Sequence, residues 1–184
     1  MTEPAHSQPP RPPAPASSGA PPLEPLIDVV HRLEERGLVC ALGGSGLLAA
    51  LGLETSVHDW DLTTDAPVDD VLAALDGLPF QRFGPDDLHA DQKLAHSPVE
   101  VIVGFAFFAE GGIVRIPTLV RGRWRGVPLG SPECWAVAYA LLGRTEKSER
   151  LFRHVSLRPD PEALAQLRMQ PLPQAVAERI AELG

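Results

Sequence analysis

The chain has 184 residues, 44% of them hydrophobic, with a net charge of -8 and a pI near 5.2. That is the length of one domain with enough apolar content for a core, and the acidic balance excludes a wide basic surface for nucleic acid, which needs clustered Lys and Arg. No apolar run approaches the ~20 residues of a membrane helix and no basic-then-apolar leader is visible, so a soluble cytoplasmic protein is expected, with Cys40 and Cys134 as buried, reduced thiols.

Residues 1–22 are mostly Pro, Ala and Ser. Such a composition buries little apolar area and predicts a disordered, partly polyproline-like tail. Folding is expected to start near Leu23, with an α/β core over 23–130 and C-terminal helices packed on it over 131–184. Leu26, Val29, Val30 and Leu33 fall at helical spacing, and Gly37 ends that helix. Leu38 to Leu42 reads as a buried strand. A short helix starts at or near Ser45, and Asp59 to Thr63 reads as a second strand. Pro67 is placed first in the next helix, where its missing N–H has no partner to lose, and Asp65 is expected to favour that helix start. Phe80–Phe83, Val99–Phe108, Ile113–Ile116 and Trp124–Val127 are predicted strands, the second of them central. Asp86, Asp87, His89 and Asp91 read as a polar loop. Ser131 caps a helix that opens at Pro132; its Trp135 and Tyr139 read as core. Two or three short helices follow. The order predicts an α/β (α+β) fold, a mixed sheet packed with helices.

The informative stretch runs from Gly43 to Pro67. Glycines let a backbone approach a ligand closely, and Gly43-Gly44-Ser45 leads from a strand into a helix whose free N–H groups suit a phosphate. On a strand, alternate side chains share a face. Asp59 and Asp61 therefore point together, with Trp60 opposite and His58 turned away from the acids. Two adjacent carboxylates repel unless a cation lies between them, and magnesium, shared with substrate phosphates, is the natural choice. Glu100 is a third acid inside an apolar strand, costly to bury unpaired. Should its strand lie beside that of Asp61, the three acids form a cluster able to hold two metal ions.

These residues resemble the DNA polymerase β-type nucleotidyltransferase superfamily. The glycine turn followed by His58-Asp59-Trp60-Asp61-Leu62 is that superfamily's pattern. Residues 58–72 resemble the head of CCA-adding enzymes and poly(A) polymerases, and residues 43–52 also resemble small-molecule nucleotidyltransferases. The likeness covers about 38–105, with a looser match over 127–149. It implies transfer of a nucleoside monophosphate from an NTP to a hydroxyl acceptor, with Mg2+ or Mn2+. Gly43, Gly44 and Ser45 would hold the nucleotide. Asp59, Asp61 and Glu100 would be metal ligands and catalytic groups, Glu100 as base. Arg144 and Lys147 would reach the phosphates. The sequence departs from the pattern at Leu47 and Leu48, where CCA-adding heads carry Arg-Asp, at Ser56 in place of an Arg, and at Ser148 in place of an acid. The partners expected are a nucleotide and an acceptor that is a small molecule, a protein or an RNA end. Two alternatives stay open: a catalytically degenerate binding module on the same fold, and an unrelated α/β domain in which Glu100 lies far from the aspartates.

Overall fold

The computed structural model describes residues 19–54 and 56–184. Most of the predicted tail lies outside them, but the carbonyl of Pro22 accepts a hydrogen bond from Trp60 Nε1 at 3.0 Å.

Period-two alternation sorts the sheet into two unlike faces. In β2 (Trp60–Thr64) and β5 (Val99–Val103), which run parallel with Trp60 opposite Val99 and Asp61 opposite Glu100, the residues Trp60, Leu62, Val99 and Val101 share one buried apolar face. Asp61, Thr63, Glu100 and Ile102 share the other. The apolar face packs under α1 (Glu24–Glu35) and α3 (Val68–Ala74). The opposite face meets α2 (Gly44–Ala50) and a helical layer of α4 (Pro132–Leu141), α5 (Thr145–Val155), α6 (Pro161–Arg168) and α7 (Gln174–Ala181).

The architecture is mixed α/β, as expected. Its seven-stranded sheet runs β3 (Gln81–Phe83), β4 (Gln92–His96), β5, β2, β1 (Ala41–Leu42), β9 (Val127–Gly130), β8 (Val120–Trp124). The β2–β5 and β1–β9 pairs are parallel and the others antiparallel. No helix among the described residues is long and apolar enough to cross a membrane. Cys40 and Cys134 are free and buried, and burial pushes each thiol up to about 12.

Several local expectations differ from the fold. The run 99–108 is not one strand. Gly104, at φ 67°, turns the chain so that Ala106–Ala109 (β6) leaves the sheet and pairs with Gly112–Arg115 (β7) as a separate hairpin. Trp124–Val127 is not a strand but the tip of the β8–β9 hairpin: Arg125 and Gly126 both have positive φ, as a tight hairpin turn requires. Pro67 stands one residue before α3, in extended geometry. Asp65 accepts from Thr118 N at 2.8 Å and ties down the chain before β8, whereas Thr64 Oγ1 takes the Ala66 N–H ahead of α3. The sequence also hid β4, which is central to the site.

Ser131 caps α4 as predicted, accepting from Cys134 N. Beside it, buried Glu133 accepts from Ser131 Oγ at 2.7 Å and from Asp160 N at 2.9 Å, joining α4 to the start of α6. Glu133→Ala strands both donors and is expected to cost about 2 kcal/mol or more. A denaturant-unfolding midpoint that does not move would mean water satisfies them.

Candidate active site

Three acids meet on the second face of the sheet. Asp61 and Glu100 are direct cross-strand neighbours, and Asp59 sits two residues before Asp61, on the same side of the chain. One carboxylate oxygen from each lies within 4.8 Å of those of the other two, and all three residues are half-buried. An unrelated fold with a chance motif predicts separations well beyond ~8 Å, too long for shared metals, and this geometry overturns that alternative.

The glycine turn is bound to the acid strand. Gly43 N donates to the Asp61 carbonyl at 2.8 Å. Gly44 has φ 55°, and a Cβ there would lie 1.9 Å from Asp61 Oδ2; a Cβ on Gly43 would fall 1.9 Å from the Trp135 ring. The two glycines let the turn into α2 pass between a carboxylate and an indole that leave no room for a side chain. Gly44 lines the cleft above the acids, and Ser45 is buried.

Burial, reinforced by the charges of Asp59 and Glu100, pushes the Asp61 carboxyl up to about 7, against smaller opposing effects of Lys93 and Arg144. A carboxylate held near neutrality by its surroundings marks a place short of positive charge. That shortage and the clustered oxygens fit a divalent cation, a hard ion that takes carboxylate ligands.

The cleft over the acids encloses about 270 Å³. Trp135 and Tyr139 form one wall; both are buried, as expected of core residues, yet both face this space. The Tyr139 hydroxyl is buried with no hydrogen-bond partner among the described residues, and burial holds its pKa well above the usual phenol value. Arg144 is exposed at the rim, its guanidinium 6.0 Å from the Tyr139 ring centre. Lys147 approaches the same ring at 5.6 Å, but it does not line the cleft and lies 4.0 Å from Glu54 Oε2. Ser148 is buried and donates to the Ala136 carbonyl at 2.8 Å. His58 is exposed and contacts Ser56 at 3.2 Å.

Sequence reasoning passed over the other wall. Lys93, on β4, places its Nζ 2.8 Å from Glu100 Oε2. Asp91, read as part of a loop, is buried and accepts from Ala106 N at 3.3 Å; burial raises its carboxyl above the usual range. His89 also faces the cleft. No local signal marked β4: Gln92 to His96 places Leu94 and Ala95 side by side between polar residues, which breaks a strand's alternation, and pairing with β5 makes the segment a strand.

No family model matches the sequence, and no curated protein matches it. Among solved structures, the chain is similar to a provisionally named nucleotidyltransferase from Thermotoga maritima. The two are 22% identical with a TM-score of 0.54, over 74% of this chain and 93% of that one. It is similar at 16% identity and a TM-score of 0.49 to ANT(2'')-Ia in complex with adenylyl-2''-tobramycin, over 88% of this chain and 93% of that one. A CCA-adding enzyme from Bacillus stearothermophilus, in complex with CTP, matches at 16% identity and a TM-score of 0.35, over 89% of this chain and 48% of that one. The order of the elements, the mixed sheet and the agreement with the Thermotoga maritima structure establish that this protein has the nucleotidyltransferase fold.

Proposed function

We propose that the protein is a magnesium-dependent, cytoplasmic nucleotidyltransferase that moves a nucleoside monophosphate from an NTP to a hydroxyl acceptor. The observation that carries this reading is the acid triad, with oxygens within 4.8 Å of one another and Asp61 raised to about 7, beside a glycine turn on a nucleotidyltransferase fold. Asp59, Asp61 and Glu100 would hold Mg2+, and Mn2+ suits the same oxygens. The bound ion would supply Lewis-acid stabilisation of charge on the phosphoryl oxygens.

The chain's own groups do the rest. The first-turn N–H groups of α2, at Gly44 and Ser45, would donate to phosphate oxygens, since the first N–H groups of a helix have no partner within it. Arg144 at the rim offers paired donors to the same chain of phosphates, with Lys147 on the next turn of that segment as a further charge. The cavity is just below the ~300–1,000 Å³ of typical small-molecule sites, a volume for the phosphates with the nucleoside reaching outward. The acceptor oxygen attacks the α-phosphorus while its proton passes to Glu100. The bond from that phosphorus to the β-phosphate's bridging oxygen breaks, and pyrophosphate leaves.

Thermal melts with each NTP, with and without Mg2+, test this. Ligand at ~100 times its Kd adds about 2.7 kcal/mol, which at roughly 2–4 °C per kcal/mol raises Tm by several degrees. The rise is expected with Mg2+ only, and to vanish in Asp59→Asn. No rise with any NTP would favour the degenerate binding module instead.

A further inference from the structure

The acid face of the sheet continues past Glu100 onto β4. That strand is antiparallel to β5, with Ala95 opposite Glu100 and Lys93 opposite Ile102. Lys93 and Ala95 are two apart and share the acid face, while Leu94 between them is buried in the apolar layer. Ala95 ends at its methyl, so the cross-strand position facing Glu100 holds no competing polar group. The Lys93 side chain takes the diagonal, a separation that long side chains span, and brings its ammonium 2.8 Å from Glu100 Oε2. The same ammonium interacts electrostatically with Asp61 and Asp91. Among the described residues, it is the cation in direct ion-pair contact with the triad; Arg144, on the other rim, makes no such contact. Four carboxylates, Asp59, Asp61, Asp91 and Glu100, thus line a cleft whose wall already carries the Lys93 ammonium against Glu100, with Arg144 at the rim.

We infer that Lys93 is a positioning residue that supplies, as a side chain, one of the positive charges a two-cation site would import, so that the triad takes a single divalent cation. This rests on the proposed metal-dependent transferase. The ammonium occupies one Glu100 oxygen, holding the carboxylate in place for the acceptor's proton. Asp59 and Asp61 are left as the principal ligands. A second dication near Glu100 would have to displace an ammonium 2.8 Å away or sit against its charge. Lysine suits the task as a compact point charge on a flexible stem.

Mn2+ titration of the full chain, followed by calorimetry and by the electron paramagnetic resonance of free Mn2+, reads the stoichiometry directly and without turnover. The wild type is expected to bind one ion and Asp59→Asn none. Lys93→Met and Lys93→Gln, the second included in case the first folds poorly, are expected to bind a second ion. Their first ion should bind about tenfold more tightly, the effect of one unit charge a few ångströms from a dication in a water-like dielectric. Lys93→Arg keeps the charge and is expected to stay at one ion. Two ions in the wild type, or one ion with unchanged affinity in both uncharged variants, would overturn the inference and leave the transferase reading intact. No ion bound by the wild type would remove the metal site itself, and the inference with it.

Discussion

Asp61→Asn is expected to abolish nucleotidyl transfer and, at the same time, to give a metal-free protein that melts higher than the wild type above pH 7. The two effects share a cause. In the metal-free protein Asp61 is desolvated and lies beside Asp59 and Glu100, and its carboxyl rises from an ordinary 3.8 to about 7. Below the unfolded value both states are protonated and the residue contributes nothing. Between about 4 and 7 the native state holds a proton that the unfolded state has released, so stability falls with rising pH. Above 7 the deficit is complete, at about 4 kcal/mol for a shift of this size. Asparagine keeps the shape and removes the charge, while its amide donors offset part of the gain. A rise in Tm of several degrees at pH 8, shrinking to nothing near pH 4, is the expected result. Wild-type and variant melting curves that run parallel from pH 4 to 8 would show that Asp61 carries no such burden. The loss of activity, about a thousandfold or more, is what the proposed function implies for Asp61 as a ligand of a metal that stabilises transition-state charge.

Gly44→Ala is expected to remove activity by a different route. The alanine methyl would stand 1.9 Å from Asp61 Oδ2, and the backbone there, at φ 55°, is one that side chains rarely adopt. The left-handed conformation costs roughly 1–2 kcal/mol, and either the turn or the carboxylate must move by more than an ångström. On the proposed function, displacement on that scale at the Asp61 carboxylate is expected to cost about a hundredfold in rate, and Mn2+ affinity should fall with it. Gly52→Ala is the matched control. Gly52 has φ 72° at the end of α2, but a Cβ there meets nothing within 4 Å. Its backbone cost is similar, and kcat should hold. Comparable losses of kcat in both variants would assign the effect to general destabilisation; a loss confined to position 44 assigns it to the Asp61 contact.

Much of this fold was legible because its signals are local. Leu26, Val29, Val30 and Leu33 repeat at the helical period, and all four are buried under the sheet. Ser131-Pro132 starts a helix for reasons contained in those two residues. Asp59 and Asp61 share a face because strand geometry puts alternate side chains on one side, whatever the partner strand. The break at Gly104 was harder to read. The residues on either side are mostly apolar, β-branched before it and aromatic after it, and the positive φ of the glycine marks where the sheet strand gives way to a hairpin strand. At Trp124–Val127 the hydrophobic ends suggested a strand, whereas Arg125 and Gly126 between them form the turn.

By itself, then, the sequence determined the mixed α/β class, the glycine turn, the start of α4 at Ser131-Pro132 and the common face of Asp59 and Asp61. Each depends on residues a few positions apart, where covalent geometry sets the period. Only the tertiary structure decided that β5 lies parallel to β2 and sets Glu100 opposite Asp61, that β4 flanks it and carries Lys93 to Glu100, and that Tyr139, Trp135 and Asp91 face the same cleft. Strand order and register are set by the burial of whole faces across the sheet, a sum over distant residues that no local pattern contains.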